Sequence, residues 1–337
     1  MRSNMKLKHK FILVDDVNIH YVESGAQSSS LSAFQSREKD AIKTIVFLHG
    51  FPEYWGTWHE QLNYFSNNYR VIAPDLPGYN LSDKPSELSF YAVPNLINFI
   101  AKFISLISPD QQVYLVAHDW GGAIAWPLAA FHPQLINKLI ILNAAHPSTF
   151  TREMINNPIQ RQKSAYIHEL ISVSSESLLS KNNFHYLSEK MMVAARADIF
   201  NDESKAKYRK VWSQKGAVNG MLQYYRAMPQ LAANDGDSSD NSIDNVNNSQ
   251  TSLAAESIVS ISPVKDTSEI KIPNIRINIA TLILWGEQDQ AFVNENLDNI
   301  NQYVPNCTIK RFSNTSHWLQ HERPDEVNIA IASFITN

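Results

Sequence analysis

Three residues, Asp119, Asp289 and His317, have the types and the chain order that covalent hydrolysis needs: a nucleophile, an orienting acid and a base. Asp119 lies in VYLVAHDWGG, Val113 to Gly122, where a β-branched apolar run enters a turn followed by two glycines. Strand, tight turn and helix would put one reactive side chain at the apex. Small neighbours are needed there because the apex residue takes a strained backbone conformation. A carboxylate at such an apex can act as a covalent nucleophile. Alone, Asp119 reads equally well as the cap of the helix that follows. Asp289 follows the apolar run ending at Trp285, and His317 follows the run ending at Phe312 after a short polar loop. Singly these are a turn residue and a helix-start residue; with Asp119, all at strand ends, they form a far more specific set.

Two further stretches bear on the same chemistry. HGFP, His49 to Pro52, turns immediately after an apolar run. The backbone N–H groups of Phe51 and of Trp120, just after Asp119, would converge on one oxygen as an oxyanion hole, each donor worth about 2.7 to 4 kcal/mol in the transition state. Its target would be the tetrahedral intermediate formed when water attacks an aspartyl ester. His317 and His321 stand four apart, the spacing of a metal pair on one helical face, but no Glu lies between them in the HExxH manner and no third ligand is evident. Neither a metal nor a cofactor is expected.

Alternating strands and helices must position these groups. Phe11 to Val14 and Asn18 to Glu23 predict a hairpin turning at Asp15 and Asp16, and 27–40 a serine-rich loop. Strands are expected at Ile42 to Leu48, Tyr69 to Ala73, Val113 to Ala117, Ile136 to Leu142, Ala280 to Trp285 and Thr308 to Phe312. Helices are expected after HGFP, at Val93 to Ile107, at Gly122 to Phe131 and at Glu326 to Ile335. Such alternation implies a mostly parallel central sheet flanked by helices, an α/β fold whose reactive loops gather at the carboxyl ends of the strands. His49 to Pro52, Asp75, Asp119 and Asn143 to Pro147 would share that edge. Four segments follow: a first core part over 1–147, an inserted helical cap over 148–231 rich in Tyr and Met, a polar, mobile insertion over 232–271, and a second core part over 272–337.

Composition excludes other classes. A net charge of −4 over 337 residues gives no basic field to recruit nucleic acid. The basic N-terminus is followed by only four apolar residues, Phe11 to Val14, too few for a signal-peptide core, and no later segment approaches the length of a membrane span, so a cytoplasmic protein without a membrane partner is expected. Cys307 is the single cysteine, which rules out an intramolecular disulfide. Self-association into a homo-oligomer stays open.

HGFPEYW, PDLPGY with SDKP, HDWGG, WGEQD and SHWLQHERP together resemble the epoxide hydrolases of the α/β-hydrolase superfamily, and covalent dehalogenases share much of the pattern. The resemblance covers about His49 to Pro147 and Ile279 onward. It implies an α/β-hydrolase fold with a helical cap, and a small apolar epoxide and water as reactants. Asp119 would form the alkyl ester, and His317, oriented by Asp289, would activate water. Two cap tyrosines would hold the epoxide oxygen. Tyr166, in QKSAYIHEL, is similar to the first and Tyr225, in MLQYYRAMP, to the second, with Tyr224 as its competitor; aromatic packing is the plain alternative for each. Haloacid dehalogenases carry arginines where this chain has Trp120 and Ala123, and many haloalkane dehalogenases have Asn in place of Phe51. Two rival readings are a hydrolytic dehalogenase using the same triad without the phenols and a ligand-binding module with little turnover. The chain departs from the pattern at Ala117 and at Asn80, where Asn tolerates the positive φ the loop requires.

Overall fold

The computed structural model describes residues 6–25, 42–196, 198–228 and 271–336. The predicted loop 27–40 and, apart from exposed Lys271, the predicted insertion 232–271 lie outside the described residues. Eight strands form one sheet in the order β1-β2-β4-β3-β5-β6-β7-β8. They are β1 (Lys8–Val14), β2 (Val17–Gly25), β3 (Thr44–Leu48), β4 (Arg70–Pro74), β5 (Val113–His118), β6 (Ile136–Leu142), β7 (Thr281–Gly286) and β8 (Cys307–Phe312). The hairpin β1–β2 and the β2–β4 pairing are antiparallel; every pairing from β4 to β8 is parallel.

Period-two alternation sorts the strand residues onto two buried faces. Ile45 and Phe47 of β3 pack with Trp58, Leu62 and Phe65, the last two on α1 (His59–Phe65), and with Val327 and Ile331. Val46 and Leu48 pack on the other side with Leu96 and Phe103 of α2 (Val93–Ile107) and Ile124 of α3 (Trp120–Phe131). Two-sided burial is why the strands read as continuous apolar runs. Among the described residues no helix is long and apolar enough to cross a membrane.

Between β6 and β7 the described residues form helices and no strand: α4 (Pro147–Asn156), α5 (Pro158–Lys163), α6 (Tyr166–Ile171), α7 (Ser175–Tyr186), α8 (Asp202–Trp212) and α9 (Ala217–Arg226). They sit against the loops at the carboxyl edge. Trp212 donates to the Pro52 carbonyl at 2.7 Å, and Tyr224 to that of Pro77 at 2.8 Å. The turn of α7 breaks where Asn182, Asn183 and Phe184 all take left-handed backbone, at φ 51°, 55° and 61°. A short helix, α10 (Leu319–Glu322), and a longer one, α11 (Pro324–Thr336), follow β8.

One boundary differs usefully from the sequence expectation. Helix α3 begins at Trp120 rather than Gly122, because the whole reversal is made in one residue, Asp119, at φ 49° and ψ −120°. Asn80 takes φ 37°, as its loop requires, and donates to Asp75 Oδ2 at 2.9 Å.

Candidate active site

The elbow at Asp119 is strained, and its neighbours leave no room to relax it. A Cβ on Gly121 would lie 2.4 Å from the Leu48 carbonyl oxygen, and one on Gly50 would lie 2.3 Å from Asp119 Oδ1. Close approach therefore explains the small residues here, in the loop after β3 as well as after β5. The turn after β3 is itself held by His49, buried beneath it: Nδ1 donates to the Gly50 carbonyl at 2.9 Å, and Nε2 accepts from the Leu76 N–H at 3.0 Å.

This packing brings the Phe51 N–H onto Asp119 Oδ1 at 2.6 Å. Asp119 Oδ2 lies 3.7 Å from His317 Nε2, and His317 Nδ1 is 2.9 Å from Asp289 Oδ2. Asp289 is fixed on all sides: its Oδ1 accepts from the N–H groups of Ala291 at 2.6 Å and Phe292 at 3.1 Å, and its Oδ2 also accepts from Asn143 Nδ2 at 2.6 Å. Burial opposes its ionisation, but the charge and hydrogen bond of His317 and the bond from Asn143 outweigh that and hold its pKa below the usual range. For His317 burial acts downward, yet Asp289, its hydrogen bond, Asp119 and Glu53 together raise the imidazole to about 9.

Above these groups is a cavity of about 180 Å³ lined by Asp119, His317, Phe51, Trp318, Tyr166 and Tyr225, with Tyr186 and Met191 farther along the helical segment. The rings of Tyr166 and Tyr225 stand 6.2 Å apart, nearly perpendicular, and Tyr225 packs edge-on against Phe51 and Trp120. Burial, and after it the charge of Asp119 for Tyr166 and the Tyr166 phenol for Tyr225, push both phenols far above their ordinary pKa. Both are therefore proton donors at neutral pH. Tyr224, next in the chain, bonds the Pro77 carbonyl and does not line the cavity. Trp120 occupies the first position of α3, where a backbone N–H has no partner within the helix.

Sequence reasoning overlooked the buried groups behind His317. Glu53 is wholly buried; its Oε1 accepts from Tyr208 of α8 at 3.0 Å and lies 2.7 Å from His321 Nε2, while its Oε2 lies 3.2 Å from His118 Nδ1. His118 Nε2 donates to the His317 carbonyl at 2.9 Å. His317 and His321 thus direct their rings to different carboxylates. Asp75, placed on the same edge by sequence, is bound instead to His20 at 2.6 Å and to the Trp55 N–H at 3.1 Å. The signal available for Glu53 was its position directly after HGFP, a carboxylate inside an otherwise apolar turn.

Burial alone would raise the Glu53 pKa, but hydrogen bonds from His118 and His321 hold it well below the ordinary carboxylate range. A depressed folded pKa means that its contribution to stability is complete above the unfolded value and is lost as pH falls below it. Glu53→Leu should therefore destabilise the fold by about 3–5 kcal/mol, the cost of stranding buried partners. Urea unfolding at neutral pH measures this, and the gap from wild type should narrow on acidification. A loss under about 1 kcal/mol would mean that the cluster is solvated and unimportant.

Residues 43–324 match the family described as alpha/beta hydrolase fold. Over 332 residues the chain is 29% identical to epoxide hydrolase 2 of Caenorhabditis elegans, covering 97% of this chain and 79% of that one. To epoxide hydrolase 3 of Xenopus tropicalis it is 32% identical, over 99% of this chain and 80% of that one. An epoxide hydrolase from Bacillus megaterium superposes with a TM-score of 0.76 at 30% identity, covering 97% of this chain and 100% of the other. With its sheet order, its elbow and this degree of likeness along nearly its whole length, the chain belongs to the epoxide hydrolases of the alpha/beta hydrolase superfamily.

Proposed function

We propose that this chain opens a small, mostly apolar epoxide to a vicinal diol through a covalent ester on Asp119, without a cofactor. The observation that carries the reading is the shared cavity, in which a carboxylate, a histidine and two protonated phenols line about 180 Å³. Asp119 Oδ1 is held by the Phe51 N–H, which leaves Oδ2 to attack a ring carbon. The carbon–oxygen bond breaks, and the departing alkoxide takes a proton from Tyr166 or Tyr225. Water then attacks the ester carbonyl carbon, losing a proton to His317 Nε2, while Asp289 stabilises the imidazolium.

The oxyanion on Oδ1 is stabilised by the Phe51 N–H already on it, with the Trp120 N–H as the second donor. Collapse breaks the bond between the ester carbon and Oδ2, and the departing alkoxide takes the remaining water proton from the new hydroxyl on Asp119, which releases the diol and restores the carboxylate. The proton on His317 returns to the phenolate, so one epoxide and one water are consumed per cycle. Helices α4 to α9 act as the cap over this site. A cytoplasmic location fits the single cysteine among 337 residues.

A single turnover in heavy-oxygen water tests the reading. Label is expected first in the Asp119 carboxylate, and in the diol only on later turnovers. Label entering the diol in the first turnover would mean direct attack by water and would end the ester mechanism.

A further inference from the structure

The cap helix α5 reaches into the core through one side chain that the mechanism does not use. Gln160 is wholly buried, and its amide satisfies four partners. Oε1 accepts from the Val293 N–H at 3.0 Å and from Asn296 Nδ2 at 2.9 Å. Nε2 donates to the Ala291 carbonyl at 2.8 Å and to Ser164 Oγ at 3.0 Å. A backbone N–H on one side and a backbone carbonyl on the other fix which end of the amide is oxygen.

Three of these partners belong to the loop that carries Asp289. The Ala291 unit that receives the Gln160 donor also gives its own N–H to Asp289 Oδ1. The fourth partner, Ser164, lies two residues before Tyr166 and donates its N–H to the Gln160 carbonyl at 2.9 Å. Lys163, on the same helix, donates to the Asp289 carbonyl. Helix α5 is itself anchored by Asn157, whose side chain accepts from the Ile159 N–H at 3.0 Å.

We propose that Gln160 is a positioning residue, holding the acid loop in register with the helix that carries Tyr166 so that cap and triad are seated together. The inference rests on the Asp119, His317 and Asp289 reading above. Because three partners lie on the acid side and one on the tyrosine side, its loss falls mainly on the step that uses Asp289, hydrolysis of the ester. Gln160 touches no reacting atom and acts only through the loop.

The test is rapid-quench mass spectrometry of the full chain during a single turnover, following formation and hydrolysis of the Asp119 ester in wild type, Gln160→Leu and Gln160→Glu. In Gln160→Leu, hydrolysis should slow by about 10- to 100-fold, the effect of about 1 Å of misplacement. Formation should slow by less, so that ester accumulates. In Gln160→Glu a neutral carboxyl reproduces an acceptor for Val293 and a donor to Ala291, whereas the ionised form sets a negative charge against that carbonyl. Accumulation relative to wild type at the same pH should therefore be small in acid and grow as pH rises, a pattern that a merely space-filling role would not produce. Equal slowing of both steps in Gln160→Leu, or a Gln160→Glu ratio independent of pH, overturns the assignment. Wild type forming no ester at all overturns the underlying mechanism and this inference with it.

Discussion

A His317→Gln variant should consume one epoxide per active site and then stop, with the alkyl group left on Asp119. In the proposed mechanism attack on the ring carbon uses Asp119 Oδ2 and a phenol, neither of which depends on a base. Hydrolysis requires a proton acceptor for the attacking water, and in this structure His317 Nε2, 3.7 Å from Asp119 Oδ2, is the acceptor in reach. Glutamine approximates the imidazole in size but cannot take that proton, so deacylation should fall by about 10² to 10⁴. The charges sharpen the expectation. In the free enzyme burial disfavours the imidazolium, but the carboxylates of Asp289, Asp119 and Glu53 together raise His317 to about 9. Esterification of Asp119 removes one of these three charges and lowers the imidazole pKa at the moment a base is needed. Wild-type deacylation should thus rise with pH through a value below about 9, while the residual rate in the variant should lose that dependence. Intact-mass measurement and peptide mapping after exposure to excess epoxide decide the matter. An unmodified Asp119 in a variant that no longer makes diol, or sustained turnover by the variant, would exclude His317 as the deacylating base.

What could be read from sequence follows from where the physics is local. Asp119, Asp289 and His317 each come just after an apolar strand run, and a parallel sheet sends all such residues to one edge. Period and punctuation therefore located them without any contact being known. Partners in the tertiary structure have no such signal. Glu53 meets His321 across 268 residues, Gln160 meets Ala291 across 131, and Asn143 meets Asp289 across 146. Each is one polar residue in a loop or short helix, and only the fold makes it buried. The choice between Tyr224 and Tyr225 was hidden for a different reason. Adjacent residues on α9 point about 100° apart, since a turn takes about 3.6 residues, and both face apolar surroundings, so patterning could not say which phenol met the cavity and which met the Pro77 carbonyl.

That distinction sets up the second large effect, which separates epoxide opening from halide displacement by the same triad. Tyr166→Phe with Tyr225→Phe should lower the rate of ester formation from an epoxide by about 10² to 10⁴, and either substitution alone by less. Ring opening generates an alkoxide, a strong base that leaves readily only if protonated or strongly hydrogen-bonded as it forms. Burial and the nearby Asp119 charge keep the Tyr166 proton in place, and burial with the Tyr166 phenol does so for Tyr225, so both are loaded donors over the whole neutral range. A halide leaves as a weak base and needs no proton. With the aromatic rings retained, the packing of position 225 against Phe51 and Trp120 is undisturbed, and the change is confined to two hydroxyl groups. Tyr224→Phe is the internal control: its hydroxyl bonds the Pro77 carbonyl, so its loss should lower stability by about 0.5 to 1.5 kcal/mol and leave ester formation nearly unchanged. Single-turnover ester formation measured for wild type, the two single variants, the double variant and Tyr224→Phe, with an epoxide and with a haloalkane of matched size, reads the rates, and urea unfolding reads the stability of Tyr224→Phe. If the double variant forms ester from the epoxide as fast as wild type, the phenols are packing residues only. If wild type instead forms ester from the haloalkane and not from the epoxide, and the double variant releases halide at the same rate, the triad serves dehalogenation rather than epoxide opening.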